Sequence, residues 1–184
     1  EQTGRIMIEF EKTLGQYAPD LVVVVGDVNS TMACAVTAKK HQIPVAHIES
    51  GLRSFDESMP EEINRIVTDA ISDFLFVTEE IAIQNLLREG IDRDKIFFVG
   101  NVMIDSLLFG LDKIKLGKAP PCKPLESFQS TYDNYSLLTL HRPSNVDDRE
   151  TLKKIWEVIE EISETSPILF PGHPRTLNKL KEFG

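Results

Sequence analysis

The sequence predicts an α/β protein whose parallel sheet is built in two halves, and three observations carry that expectation. Short apolar runs rich in β-branched residues alternate with segments whose apolar residues recur at helical spacing. The alternation lapses once, in a Pro-rich polar stretch from Gly117 to Asn134. On both sides of that lapse, strands end abruptly in titratable residues followed by turn chemistry. Because each strand is returned through a helix, neighbouring strands run parallel.

In chain order the expected strands are Leu21–Val25, Pro44–Ile48, Phe74–Val77, Lys95–Val99, Ser136–Leu140 and Ile168–Phe170. Helical spacing covers Ser30–His41, Glu61–Ile71, Glu79–Glu89, Val102–Lys115, Arg149–Thr165 and Pro174–Phe183. The run GKAPPCKPLESFQSTYDN is too long for an ordinary helix-to-strand loop and is read as a linker. The expected organisation is therefore a Rossmann-like domain over residues 1–118, a linker over 119–134 and a second Rossmann-like domain from 135 to 184. The chain opens on Glu1 inside a helical pattern, EFEKTL, and stops just after HPRTLNKLKEF. An internal fragment is expected: the later part of one domain and the first part of the next.

With 41% hydrophobic and 27% charged residues among 184, the composition is that of an ordinary globular protein. A net charge of −9 disfavours nucleic-acid binding, which needs a basic surface to displace condensed counterions. A small anion remains a suitable ligand, because a few local cations and helix N-termini can hold one on an acidic protein. Cys34 and Cys122 lie far apart, without metal-ligand spacing, so no metal site is expected. No secretory leader or membrane-length apolar run is evident, which points to the cytoplasm.

The run LVVVVGDVNS delivers Asp27 to a strand-to-helix turn, where open α/β sheets bind ligands. Its ordinary alternative is to cap the helix that follows. IPVAHIESG brings Glu49 to the next strand end, where Ser50 and Gly51 permit close approach by a ligand and an ion pair with Arg53 is the alternative. Ser58-Met59-Pro60-Glu61 fits a capping box, and Glu61 and Arg65 have the spacing of an intrahelical ion pair. SLLTLHRPSN brings His141 and Arg142 above a helix start, and PILFPGHPRT brings His173 to the corresponding place one strand later. Imidazole can donate a proton or hydrogen bond and guanidinium grips phosphate bidentately, so these three residues suit an anion. Two halves facing a cleft would set Asp27 and Glu49 opposite His141 and His173.

The motifs GDVNST, HIESGLRS, MPEEINR, VGN-x-x-ID, LHRPSNVDD and PGHPRT run in this order from Gly26 to Thr176. Together they resemble the non-hydrolysing UDP-N-acetylglucosamine 2-epimerases, covering nearly all of this chain but only the middle half of a typical member. The resemblance implies a two-domain fold of the glycosyltransferase-B type with a UDP-sugar in the interdomain cleft. By motif, the family's catalytic carboxylates fall on Asp27, Glu49 and Glu61, and its active-site histidine falls on His141. Arg142 and His173 match positions associated with binding the nucleotide sugar. The implied reaction converts UDP-N-acetylglucosamine to UDP-N-acetylmannosamine by eliminating UDP and adding it back through a glycal, with no cofactor and no metal. The implied partners are UDP-N-acetylglucosamine or UDP and a second subunit in a homodimer, with neither nucleic acid nor membrane. A hydrolysing epimerase, a sugar transferase of the same fold type and a non-catalytic nucleotide-sugar binding module are the alternatives. The isolated fragment is expected to be inactive.

Overall fold

In the computed structural model, which describes residues 1–183, the chain divides after Lys118 and each unit has its own parallel sheet. The first unit runs α1 (Gln2–Tyr17), β1 (Val22–Val25), α2 (Asn29–Lys40), β2 (Val45–Ser50), α3 (Pro60–Ile71), β3 (Phe74–Val77), α4 (Glu80–Arg88), β4 (Ile96–Phe98) and α5 (Val102–Lys115). Its strands lie in the order β1-β2-β3-β4, all parallel. The strands are Val-, Ile- and Phe-rich because β-branched and aromatic side chains fit a pleated, covered surface. α2 presents Ala33, Ala35 and Ala38, all fully buried, and side chains this small let the helix lie close to its neighbours. Leu75, Val77, Ala82 and Leu86 close the core between β3 and α4. Removing a leucine of this kind from water stabilises the fold by about 2–3 kcal/mol.

β2 is irregular where it matters. Ile48 pairs with Phe76 and Ser50 with Val77, so Glu49 is an extra residue that the partner strand does not match. Its φ is 69°, in the left-handed region that non-glycine residues rarely enter. Gly51, two residues on, has φ 79°, and a Cβ there would stand 2.6 Å from the carbonyl oxygen of Ala82. Glycine is required at that position on both counts.

The second unit contains α6 (Lys123–Thr131), β5 (Ser136–Leu137), α7 (Pro143–Val146), α8 (Arg149–Ser163), β6 (Ile168–Leu169) and α9 (Pro174–Phe183). α6 lies inside the 119–134 stretch, where periodicity predicts no helix. Pro124 falls in its first turn, where a missing N–H costs nothing, and Phe128 gathers Tyr132 and Tyr135 around itself at ring-centroid distances of 4.9 and 5.4 Å. β5 and β6 are shorter than the apolar runs that contain them. Pairing ends where Leu138 N donates to Leu169 O, since each strand has one neighbour to supply a ladder. Leu140, Val146 and Leu152 form the buried centre, packed against Ile155, Phe170 and Leu180. Among the described residues, no helix is long and apolar enough to cross a membrane.

The Gly51→Ala variant of the full-length protein is expected to lose about 1–3 kcal/mol of stability from forced left-handed geometry and the clash with Ala82. Urea denaturation against wild type measures the loss.

Candidate active site

Parallel register brings the ends of β1 and β2 side by side: Val25 pairs with Ile48, and Gly26 N donates to Ile48 O at 3.0 Å. Asp27 and Glu49 therefore emerge from adjacent strand ends. A Cβ at Gly26 would stand 3.4 Å from Glu49 Oε2, so the Glu49 carboxylate lies over the turn that carries Asp27.

α3 reaches both residues through a polar face that is buried, formed by Glu62, Asn64, Arg65, Thr68 and Asp69. Arg65 Nη2 donates to Asp27 Oδ2 at 2.6 Å, and its Nη1 donates to the Glu49 carbonyl. Asn64 Nδ2 donates to the Asp27 carbonyl at 2.9 Å and to Asn29 Oδ1 at 3.1 Å. His47, fully buried, sets Nδ1 2.7 Å from Asp69 Oδ1 and Nε2 2.8 Å from the Gly26 carbonyl. Asp69 Oδ2 also accepts from Gly51 N at 3.0 Å and from Arg53 Nη1 at 2.7 Å. Arg53 continues to Glu89 through two hydrogen bonds of 2.8 and 2.6 Å. Burial works to lower the Arg53 pKa, but the hydrogen bonds and charges of Glu89 and Asp69 outweigh it and the net shift is upward.

None of the ordinary roles open to the three carboxylates is adopted. Val28 is the N-cap of α2, without a side-chain bond, and Asp27 faces Arg65 instead. Arg53 pairs with Asp69 and Glu89, not with Glu49. The capping box at Ser58 does not form: α3 is capped by Met59 without a side-chain bond, and Ser58 turns back to Asp56. Pro60 in the first turn already removes one orphan donor, so little remains for a cap to satisfy. Glu61 is left exposed, and it lines a cavity of about 210 Å³ together with Asp27, Arg53, Met59, Glu62 and Arg65.

The neighbouring glutamate, Glu62, has a different task. It turns inward and accepts from Ser54 N, Ser54 Oγ and Phe55 N at 2.9–3.0 Å, shaping the loop that walls the cavity. Burial alone would push its carboxyl up. The three hydrogen bonds and the Arg53 charge overcome that and hold it below the usual carboxylate value.

In the second unit, His141 and His173 meet with ring centroids 5.7 Å apart, both exposed. His173 caps α9, accepting from Arg175 N at 3.2 Å through Nδ1, while His141 Nδ1 lies 3.3 Å from Thr139 Oγ1. Arg142 is the exposed N-cap residue of the one-turn α7. Thr176, fully buried, anchors the start of α9 by donating to the Leu140 carbonyl beside His141. A larger hollow of about 730 Å³ lies between α8 and α9, lined by Trp156, Leu180, Phe183 and surface Lys and Glu, and it contains none of these three residues.

Sequence patterning missed His47, Asn64, Arg65 and Asp69 as site-forming residues. The signal was present: positions 62, 65 and 69 share one helical face, and a face that is polar yet buried is informative because buried polar groups need partners. Among the described residues, no group of three or more His, Cys, Asp and Glu is placed to hold a metal ion.

Titratable side chains thus stand at the carboxyl ends of parallel strands in each unit, the edge at which α/β proteins of this open-sheet class bind their ligands. The sequence model described as UDP-N-acetylglucosamine 2-epimerase matches residues 1–183, and the chain belongs to that family. A UDP-N-acetylglucosamine 2-epimerase from Methanocaldococcus jannaschii is 52% identical over the whole of this chain, which spans 50% of that relative. A UDP-2,3-diacetamido-2,3-dideoxy-D-glucuronate 2-epimerase from Pseudomonas aeruginosa is 43% identical, with the same two shares. Among solved structures, the M. jannaschii enzyme in complex with UDP-GlcNAc and UDP has a TM-score of 0.84 over 99% of this chain and 50% of its own. The Neisseria meningitidis enzyme bound to UDP-GlcNAc, 33% identical, has a TM-score of 0.85 over 98% of this chain and 50% of its own. The chain thus spans about half the length of the relatives it matches, as a piece of the glycosyltransferase-B type of fold.

Because its folded pKa is depressed, Glu62 contributes stability above the unfolded carboxylate pKa of about 4.3, and loses it as pH falls through the lower folded value. Glu62→Gln should therefore cost about 1–2 kcal/mol at pH 7 and less at pH 3. Urea titrations of both full-length proteins at the two pH values check this.

Proposed function

We propose that the protein to which this chain belongs inverts C2 of UDP-N-acetylglucosamine, giving UDP-N-acetylmannosamine. The observation that carries the proposal is that Asp27 and Glu49 emerge from adjacent strand ends and Glu61 shares a cavity with Asp27, none of the three adopting the cap or ion pair its local sequence would allow. Family membership and the ligand in the solved relatives support the substrate.

The C2 hydrogen of the sugar is not α to a carbonyl, so its direct removal would leave an unstabilised carbanion. Elimination avoids this: a base takes the C2 proton as the C1–O bond to UDP breaks, leaving a glycal. Addition of UDP back to C1, with a proton delivered to the opposite face of C2, completes the inversion. Asp27, Glu49 and Glu61 are the groups for proton removal and return. His141 is our candidate to stabilise the departing pyrophosphate, with Arg142 and His173 holding the nucleotide sugar. No net redox change occurs, so the route calls for no redox cofactor. The resemblance that supports this reaction also carries a homodimeric, cytoplasmic enzyme. The P. aeruginosa relative indicates a second sugar for the same chemistry, UDP-2,3-diacetamido-2,3-dideoxy-D-glucuronate, and its lower identity places it behind the first.

Proton NMR of UDP-N-acetylglucosamine in D2O with the full-length protein is expected to reveal deuterium entering C2 and UDP-N-acetylmannosamine signals growing in. Binding with an unchanged C2 proton overturns the proposal in favour of a transferase or binding module; free N-acetylmannosamine indicates a hydrolysing enzyme; exchange confined to the diacetamido-glucuronate sugar moves the substrate.

In the same assay Asp27→Asn, Glu49→Gln and Glu61→Gln should each lower kcat by about 100- to 10,000-fold. Their circular dichroism spectra should match wild type. Near-normal turnover in all three removes the carboxylates from the chemistry.

A further inference from the structure

We infer that His47 and Asp69 are positioning residues that hold Asp27 and Glu49 in working geometry, an inference that rests on the function proposed above. Neither residue lines the cavity, and both side chains are fully buried. Asp69 grips the chain on either side of Glu49, at residue 47 through the imidazole and at residue 51 through the backbone amide. Between those two grips sits the unmatched residue with φ 69°, a conformation that persists only where its surroundings over-determine it. On its other nitrogen His47 reaches the adjacent strand. A carbonyl can only accept, so Nε2 is the donor to Gly26 O, in the residue directly before Asp27. One buried pair thereby fixes the backbone entering Asp27 and the backbone on both sides of Glu49.

An amide at position 69 can satisfy every partner. Its oxygen can accept from Gly51 N and Arg53 Nη1, while its NH2 donates to His47 Nδ1. Asp69→Asn therefore retains the clamp, whereas His47→Phe keeps the ring volume and loses both hydrogen bonds. A geometric role predicts opposite outcomes for the two.

The experiment measures kcat, UDP-N-acetylglucosamine Kd and thermal unfolding for full-length wild type, His47→Phe and Asp69→Asn, with a crystal structure of His47→Phe. The expected result is a roughly 100-fold fall in kcat for His47→Phe with Kd within about threefold, since displacement of about 1 Å has that effect on chemistry. Asp69→Asn should stay within about fivefold of wild-type kcat. Folded His47→Phe with near-wild-type kcat overturns the inference, and so does an Asp69→Asn protein as impaired as His47→Phe. Should His47→Phe fail to fold, His47→Gln, which keeps a donor for Gly26 but drops the Asp69 contact, replaces it in both assays with an expected loss of about tenfold in kcat. Wild type lacking all C2 exchange defeats the proposed function instead. The crystal structure of the folded variant then decides the clamp by itself: Glu49 relaxing from the left-handed region sustains it, and Glu49 and Gly26 unmoved overturn it.

Discussion

The carboxyl edge of the first sheet depends on the bridge that Arg65 makes between two strands. Its guanidinium satisfies the Asp27 carboxylate and the Glu49 carbonyl together. The planar fork of arginine suits this task, since a lysine would offer a single point charge in place of two directed donors. With its neighbours Asn64 and Asp69, Arg65 makes α3 a helix that packs through hydrogen bonds on the side facing the strand ends. Such groups are costly to desolvate and repay that cost only when nearly every one is paired. The density of partners around Asp69 meets that condition: an imidazole, a backbone amide and a guanidinium share its two oxygens.

The arrangement separates two kinds of acidic side chain that look alike in sequence. Glu61 and Glu62 are consecutive, yet one is exposed at the cavity and the other is buried against the Ser54–Phe55 backbone. Helical geometry turns adjacent positions about 100° apart, so one neighbour can serve the scaffold while the other stays exposed at the cavity. The same division separates Glu49, whose carboxylate above Gly26 has no hydrogen-bond partner among the described residues, from Asp69, consumed by its partners. A carboxylate meant to exchange protons with a ligand must keep an oxygen free of such partners.

The second unit handles its titratable groups differently. His141 and His173 approach each other at the surface, each tied to a local partner rather than to a buried network. Rigidity there comes from the elements beneath: Thr176 fastens α9 to the end of the β5 segment, and Arg175 pairs with Asp147 across the start of α9 and the end of α7. Exposed imidazoles on a held backbone remain accessible to an anion.

Periodicity was sufficient to read the parallel α/β class, nearly every strand, and the positions of Asp27, Glu49, Glu61, His141, Arg142 and His173 at strand ends or a helix start. These properties depend on short-range patterning: β-branched runs make strands, 3.6-residue spacing makes helices, and polar residues after an apolar run must emerge at an edge. Patterning failed for α6, where prolines and polar residues concealed a helix whose aromatic contacts come from Phe128, Tyr132 and Tyr135. It also could not choose between the capping box at Ser58 and a free Glu61, because both are compatible with the same four residues. Tertiary structure decided that choice, together with the left-handed Glu49 and the partners of Arg53, Arg65 and Asp69. The cross-element partners of Arg53, Arg65 and Asp69 stand 16 to 38 positions away in the chain. Local sequence states which groups need partners, and only the folded packing of α3 against β1 and β2 determines which partners they find.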